Sequence, residues 1–383
     1  MSNEKFIPLS VPNICGNEWK YIKECLDTGW ISSVGSYVDR FEAMVAQFVG
    51  VKYGIAAVNG TAAIHISLLL SNVQQNDFVI IPNITFVATA NAVKYAGADP
   101  ILVDADPETW QMDLELLEQF LESKTDVNAR GECIHKPTGR CIRVLMPVHV
   151  QGNIGDMDRL LSIASKHSLT VIEDSTESLG STYKGKHGGS FGKIGCCSFN
   201  GNKIISTGGG GVILTNDEVL AKKAKHLTTT AKTDPLEYFH DEVGYNYRLV
   251  NILAALGVAQ MENLPDFVNK KKEIGAFYKQ GLTGIADITF QRVLECVDHN
   301  NWLFTIQTEH QRKILTHLNN NKILSRPFWA PMRSLPMYKN CLYVTEMDRC
   351  DRIHKTCLAI PCSTNIQESE MQIVVNEIKS VLA

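Results

Sequence analysis

The sequence predicts an α/β protein with a mainly parallel sheet in a large domain, followed by a smaller α+β domain at the C-terminus. From about residue 36 to residue 230, short apolar runs alternate with helix-length amphipathic stretches. This alternation is typical of parallel strands connected by crossover helices. A chain of 383 residues also exceeds what one small core requires, so two domains are expected. We place a large domain at 1–250 and a small domain at 251–383.

The elements of the large domain follow from its apolar runs. Ser36 is expected to cap a helix that ends near Phe48. A second helix is expected from Thr85 to Tyr95. Buried strands are expected at Ile55–Val58 and Phe78–Ile81, near Ile101, Val144 and Val171, and at Cys196–Phe199 and Val212–Thr215.

Residues 128–143 interrupt this alternation and contain a turn signal at Lys136-Pro137-Thr138-Gly139, so we predict a surface hairpin there. Beyond residue 248 the pattern becomes that of a separate α+β unit. Helices are expected at Leu249–Gln260, Pro265–Gln280, Glu309–Leu318 and Glu368–Leu382, and strands at Thr289–Val293 and Trp302–Gln307.

Charge and hydropathy argue against nucleic acid and membrane partners. The chain has 37 basic and 41 acidic residues, a formal charge of -4, and no block of one sign that would bind a polyanion or a membrane surface. No apolar run approaches the roughly 20 residues that span a bilayer, and the N-terminus lacks the pattern of a signal peptide. A cytoplasmic location is expected.

The 11 cysteines have irregular spacings and apolar neighbours, which is typical of reduced, buried thiols and not of a disulfide framework. Cys133, His135 and Cys141 could form part of a metal site. Their spacing is poor for zinc, however, and a fourth ligand is missing. No metal is therefore expected.

The glycine-rich segments do not predict a dinucleotide-binding loop or a P-loop. Gly208–Gly211 lacks the required spacing and precedes a strand instead of opening a helix. In Gly201-Asn202-Lys203 the lysine does not directly follow the glycine, and no Ser or Thr comes next. We expect Lys203 on a short loop at a strand end, where its amine projects into a cleft. The alternative is a solvated surface lysine.

Four further features point to the same cleft. A strand leads through Asn59, Gly60 and Thr61 into an apolar helix, which leaves backbone N–H groups and a hydroxyl free to bind a phosphate. The alternative is an ordinary strand-to-helix turn. Ser198, five residues before Lys203, would add a second hydroxyl to the phosphate.

The other two features are a carboxylate and an aromatic ring. Asp174 ends a buried strand, where it would keep a ring nitrogen protonated, although a helix N-cap is the competing interpretation. Phe86 follows the Ile84-Thr85 turn and would stack on an aromatic cofactor. A lone aromatic residue in an apolar helix is more often part of the core.

Taken together, these residues resemble the DegT/StrS-type sugar aminotransferases, which are pyridoxal-phosphate (PLP) enzymes of fold type I in the aspartate aminotransferase superfamily. The resemblance covers nearly the whole chain. Its motifs are Asn59-Gly60-Thr61-Ala62-Ala63, Thr85-Phe86-Val87-Ala88-Thr89-Ala90-Asn91, Pro147-Val148-His149, Glu173-Asp174, Ser198-Phe199 with Lys203, and Gly244-Tyr245-Asn246-Tyr247-Arg248.

The resemblance implies a role for each matching position. Lys203 would form the Schiff base with PLP, Asp174 would pair with the pyridine nitrogen, and Phe86 would stack on the ring. The turn at Gly60, Thr61 and Ala62, together with Ser198, would hold the phosphate. Asn246 would reach the phosphate of a neighbouring subunit and Arg248 the pyrophosphate of the substrate, so the resemblance implies a homodimer with shared sites. Pyridoxamine phosphate would form between the two half-reactions.

Glu177 departs from the commonest pattern, which has Gln three residues after the aspartate. A carboxylate beside the phenolic oxygen of the cofactor would repel it unless protonated or turned away. Glu177, Phe199–Ile205 and Gly208–Gly211 resemble a subgroup that aminates UDP-linked 4-keto-6-deoxy sugars derived from N-acetylglucosamine. We therefore expect such a substrate, with L-glutamate as amino donor. A GDP- or dTDP-linked 3- or 4-keto-sugar is the alternative.

Three other functions are disfavoured by the sequence. Family members that are dehydratases carry histidine in place of the Schiff-base lysine, and Lys203 argues against them. A non-catalytic binding or regulatory relative is disfavoured by the intact Lys203, Asp174 and phosphate turn. A metal or redox role of the cysteines is disfavoured by their spacing.

Overall fold

The computed structural model describes residues 6–32, 35–234 and 236–382. Its largest feature is a sheet of ten strands in which eight follow the order β1-β11-β10-β7-β6-β2-β3-β18. The strands of the described chain are β1 (Tyr53–Ala57), β2 (Phe78–Pro82), β3 (Asp99–Val103), β4 (Thr125–Val127), β5 (Cys133–His135), β6 (Arg140–Leu145), β7 (Thr170–Asp174), β8 (Thr182–Tyr183), β9 (Lys186–His187), β10 (Ile194–Ser198), β11 (Gly211–Thr215), β12 (Lys232–Asp234), β13 (Phe239–His240), β14 (Thr289–Phe290), β15 (Val297–Asp298), β16 (Phe304–Gln307), β17 (Arg326–Pro327), β18 (Leu342–Val344) and β19 (Cys357–Ile360).

Along that eight-strand path the sheet is parallel except at β11, which runs antiparallel to both β1 and β10. The mainly parallel α/β fold expected from the sequence is confirmed. The helices of the described chain are α1 (Glu18–Thr28), α2 (Ser36–Val49), α3 (Gly60–Leu70), α4 (Val87–Tyr95), α5 (Leu114–Lys124), α6 (Met157–Lys166), α7 (Glu218–Thr228), α8 (Asn251–Glu262), α9 (Leu264–Leu282), α10 (Gln311–Asn320), α11 (Arg349–Thr356) and α12 (Glu368–Leu382), with short 3-10 turns at Val150–Gly152 and Met332–Ser334.

Helices cover both faces of the large sheet, as the continuous apolar strands require. Successive side chains of a strand point to opposite faces. In β2, Val79 and Ile81 pack with helices α3, α4 and α7, whereas Phe78 and Ile80 pack with α5 and α6. The carboxyl ends of the parallel strands stay open, and the turns that follow them build the candidate site.

The chain after residue 250 forms a four-stranded antiparallel sheet in the order β14-β16-β19-β17. A third apolar cluster joins this sheet and helices α9, α10 and α12 to α1, α2 and α8. Strand β18 lies far along the chain but extends the large sheet by pairing in parallel with β3. The division of the chain at residue 250 stays a prediction.

Two local expectations need correction. Helix α2 begins at Ser36 with Gly35 at the N-cap position and no side-chain cap from its own sequence. The amide of Tyr37 donates instead to Asn251 Oδ1 of α8, at 3.1 Å, so a distant helix supplies the cap. The predicted hairpin at 128–143 is present as β5 and β6, but β6 continues between β2 and β7 and is thus part of the central sheet.

The helical and strand boundaries otherwise agree with the sequence to within a few residues, and α12 spans the expected Glu368–Leu382. Within the described ranges, no helix combines the length and the apolar character needed to cross a membrane.

Candidate active site

A cavity of about 780 Å³ opens at the carboxyl ends of the parallel strands. This is where binding sites of open α/β sheets are found. One wall comes from the turns after β1, β2, β7 and β10, and the other from the chain after residue 300. The residues predicted for the site that line it are Gly60, Thr61, Phe86, Asp174, Glu177, Ser198 and Lys203.

Lys203 lies on the turn after β10, where its amide donates to Asn200 O at 3.0 Å. Its side chain is only 13% exposed, and Nζ is 3.8 Å from Glu177 Oε1. Burial lowers the pKa of the Lys203 amine, and the Glu177 carboxylate opposes this shift. The surface-lysine interpretation is therefore wrong: the amine lies in the cavity.

The strand-to-helix turn after β1 is built by close approaches that only glycine permits. A Cβ on Gly60 would lie 2.8 Å from Ser198 Cβ, and one on Gly211 would lie 2.4 Å from Asn59 O. The first amides of α3, at Gly60 and Thr61, have no acceptor within the helix. They lie on the same side of the cavity as the Ser198 hydroxyl, an arrangement suited to an anion.

Ala62 differs from the other residues of this turn. Its amide donates to the side chain of Asn59, which caps α3 at 2.8 Å, and Ala62 is not part of the cavity wall. The predicted contact of Ala62 with the phosphate therefore requires Asn59 to release this amide.

Asp174 ends β7 and is 2% exposed. Its Oδ2 accepts a hydrogen bond from Thr89 Oγ1 at 2.7 Å, and Thr89 Oγ1 is 3.0 Å from Thr85 Oγ1. Turns and not a helix follow Asp174, so the helix N-cap interpretation is wrong. This hydroxyl pair holds the carboxylate at the cavity wall.

Glu177 is 3% exposed and lies between the Lys203 amine and the backbone of Gln151. Its Oε2 accepts the amide of Gln151 at 2.8 Å. Gln151 adopts the left-handed φ of 63°, a conformation that is uncommon for this residue type and directs the amide towards the carboxyl group. Burial raises the pKa of Glu177 to about 8, with Lys203 opposing and Asp174 supporting the shift. The protonated form is thus favoured, and a neutral carboxyl group would not repel the phenolic oxygen of the cofactor as a carboxylate would.

Phe86 lies at the N-terminal end of α4 and is 54% exposed. Its ring lines the cavity and makes an edge contact with Trp329, with 6.5 Å between ring centroids. The core interpretation of Phe86 is wrong, and its ring is free to stack on a planar group.

Asn246 and Arg248 do not line this cavity. Asn246 is exposed. Arg248 lines a second cavity of about 430 Å³ with Trp30, Tyr37 and Asn251. Within one chain, neither residue therefore contributes to the wall of the Lys203 cavity.

Sequence reasoning missed the wall supplied by the C-terminal half. Trp302 and Trp329 line the cavity, whereas the sequence predicts for Trp302 only a place in the strand Trp302–Gln307. Gln151 and Thr89 were also missed as supports of Glu177 and Asp174. A buried indole N–H needs an acceptor, but the acceptor of Trp302 is Asn202 O, 100 residues earlier in the chain, so the local sequence holds no signal for this contact.

These residues fit PLP. The cavity places a buried amine, a fixed carboxylate, an exposed aromatic face and a helix N-terminus around one space, and the glycine at position 60 leaves room beside Ser198. The fold and this donor set define the class of PLP-dependent aminotransferases.

The chain belongs to the DegT/DnrJ/EryC1/StrS aminotransferase family, whose model matches residues 12–379. It is 39% identical to GDP-perosamine synthase of Escherichia coli O157:H7 over 337 residues, covering 87% of each chain. It is 36% identical to GDP-perosamine synthase of Caulobacter vibrioides over 388 residues, covering 100% of both. The protein is accordingly a sugar aminotransferase that uses PLP.

The fold is also that of solved structures. Helicobacter pylori PseC, an aminotransferase involved in the biosynthesis of pseudoaminic acid, aligns with a TM-score of 0.87 and 24% identity over 99% of each chain. This likeness confirms the fold expected for a type I PLP enzyme.

Proposed function

We propose that this aminotransferase moves the amino group of L-glutamate to a GDP-linked keto-sugar, in a homodimer whose sites are shared between subunits. The choice of GDP as the nucleotide rests on the similarity to two proteins named GDP-perosamine synthase, over 87% and 100% of this chain. It supports the GDP-linked alternative better than the UDP-linked, N-acetylglucosamine-derived sugar that the sequence resemblance implied.

Lys203 is the residue that binds the cofactor covalently and, when released, handles the proton of the amino donor. Its burial lowers the pKa of the amine, which favours the neutral form that a base requires. Nζ then accepts the proton from the α-carbon of glutamate. When bound, PLP supplies an electron-accepting ring that stores the amino group between the two half-reactions.

Asp174 and Glu177 act as a fixed negative charge and a neutral acid. Asp174, held by Thr89 at 2.7 Å, keeps a proton on the nitrogen of the ring. Glu177 has a raised pKa and donates a hydrogen bond as a carboxylic acid to the phenolic oxygen, where the commonest family pattern uses an amide.

The phosphate is bound by the amides at the start of α3, with the hydroxyls of Thr61 and Ser198. These groups bind through the helix dipole and hydrogen bonds. Phe86 covers one face of the ring. Ala62 contributes only if its amide leaves Asn59.

The dimer is supported by two residues of the family motif that do not line the Lys203 cavity of their own chain. Asn246 is exposed and Arg248 lines a cavity separate from that of Lys203. Trp30 lines this second cavity and is 56% exposed, and its neighbour Ile31 is 47% exposed, so apolar surface is exposed beside Arg248, as at many interaction sites. We infer that the surface formed by Asn246 and the cavity of Arg248 covers the active site of the partner subunit. Asn246 then contacts the cofactor phosphate in that site, and Arg248 contacts the substrate pyrophosphate.

The assignment is tested by a panel of GDP-, UDP- and dTDP-linked 4-keto-6-deoxy and 3-keto-sugars with L-glutamate, and 2-oxoglutarate and the amino sugar are measured by mass spectrometry. The highest kcat/KM is expected for a GDP-linked 4-keto-sugar. If a UDP-linked sugar were the best substrate, the GDP assignment would be wrong, but the assignment of the reaction as amination of a keto-sugar would stand. Absence of amination across the panel would overturn the sugar assignment.

A further inference from the structure

Trp302 contacts both Lys203 and the residue that precedes it in the chain. The Nζ atom of Lys203 lies 3.9 Å from the centroid of the indole ring, and the indole Nε1 donates to Asn202 O at 2.7 Å. Asn202 immediately precedes Lys203 in the chain. One side chain, 2% exposed, thus contacts both the amine of Lys203 and the backbone that carries it.

Trp302 is in turn anchored by a buried lysine that the reaction does not use. Lys271 of α9 is 1% exposed, and its Nζ donates to Trp302 O at 2.7 Å and to Cys362 O at 2.6 Å. Within the described chain its other polar neighbour is Cys362 Sγ at 3.5 Å. A buried ammonium bonded only to neutral groups is costly, so simple packing would be served better by an apolar side chain.

A second support comes from Asn300. Its Oδ1 accepts the amide of Trp302 at 2.9 Å, and its Nδ2 donates to Glu177 O at 2.8 Å. The same short segment therefore fixes the ring beneath Lys203 and the backbone of Glu177, whose carboxyl group lies 3.8 Å from the amine. The relative positions of these groups depend on the anchored segment.

We propose that Trp302 is a positioning residue for Lys203, held in place by Lys271 and Asn300. The ring face stabilises the protonated amine whenever Lys203 is not bound to the cofactor, and the N–H fixes the turn on which the lysine lies. The amine is thereby kept within reach of the reacting atoms between half-reactions. The inference rests on Lys203 being the cofactor lysine of the proposed function.

The ring face and the N–H are separated by two substitutions at one position. Trp302→Leu removes both, and Trp302→Phe keeps an aromatic face but loses the N–H. In the apoprotein, the titration midpoint of Lys203 is measured by acetic anhydride labelling across pH, followed by peptide mass spectrometry. Loss of a desolvated cation–π contact lowers this midpoint by about one pH unit in Trp302→Leu, and the shift in Trp302→Phe is smaller.

In the holoenzyme, both Trp302 variants lose the hydrogen bond from the indole N–H to Asn202 O. We therefore expect kcat to fall about tenfold or more, with the KM for the sugar little changed. Lys271→Met is expected to shift the Lys203 midpoint in the same direction as Trp302→Leu. Lys270→Met is its matched control, because Lys270 is adjacent on α9 but half-exposed and paired with Glu273, and it leaves the midpoint unchanged.

An unchanged Lys203 midpoint in folded Trp302→Leu would overturn the proposal, even if activity or thermal stability fell. Should Lys271→Met fail to fold, the two Trp302 variants still decide. The apoprotein titration needs no sugar, so a failure of the substrate panel and a failure of this inference are separate results.

Discussion

Replacing Glu177 by Gln is expected to lower the pKa of Lys203 sharply in the apoprotein. The change keeps the shape of the side chain and an oxygen for the Gln151 amide, but removes the charge that the carboxyl group, 3.8 Å from Lys203 Nζ, carries once it ionises near pH 8. With an effective dielectric constant of about 20, two charges at this distance interact by about 4 kcal/mol, so above the pKa of Glu177 the ionised carboxylate raises the pKa of Lys203 by up to about 3 units. The Lys203 amine, with a pKa already lowered by burial, then loses its proton at a lower pH.

The assay is the rate at which added PLP forms a Schiff base with the apoprotein, followed by visible absorbance between pH 5 and 9. Only the neutral amine reacts, so the rate profile of Glu177→Gln should move to lower pH. Glu177→Asp, which keeps the charge at a greater distance, should move it less. Superimposable profiles for the wild type and Glu177→Gln would refute the pairing of these two groups.

The same substitution changes how stability depends on pH. Burial raises the pKa of Glu177 from 4.5 to about 8, so between these values the folded state keeps a proton that the unfolded state releases. This group therefore makes the apoprotein less stable as pH rises through the window, by at most about 1.4 kcal/mol per pH unit. Chemical denaturation should show this slope to be weaker in Glu177→Gln.

Two further outcomes follow from the site. Asp174→Asn preserves the hydrogen bond with Thr89 but removes the negative charge, so the rate of amination should fall by orders of magnitude with little change in folding; a rate near that of the wild type would limit Asp174 to a structural role. Lys203→Ala and Asn246→Ala proteins should each be inactive yet restore activity when subunits are exchanged, because a mixed dimer contains one complete site. Inactive heterodimers, verified by mass spectrometry, would contradict the shared site.

The fold was largely predictable because its signals are local. The run Phe78–Ile81 is apolar on both faces and lies in β2. The helical pattern at Glu368–Leu382 corresponds to α12. The hairpin at 128–143 was recognised from its turn, but its second arm could not be assigned to the central sheet, because strand order depends on contacts between distant segments.

The site likewise contains residues that the local sequence predicts and residues that depend on contacts between distant segments. Lys203, Asp174 and the turn at Gly60 lie directly after apolar strands, and their position at one edge of the sheet follows from parallel topology. Trp302 comes from the chain after residue 300, and nothing in its local sequence places it against Lys203. Gln151 supports Glu177 through its backbone amide in a left-handed conformation, and a backbone contact of this kind leaves no pattern in side-chain types.

The most direct test of the account is to identify the residue that carries the cofactor. The purified protein is reduced with sodium borohydride and digested, and the phosphopyridoxyl group is located by peptide mass spectrometry. We predict a single modified residue, Lys203, with loss of the visible absorbance and of activity on reduction, and no modification in Lys203→Ala. A phosphopyridoxyl group on another lysine, or an unmodified protein that still aminates a keto-sugar, would contradict the account.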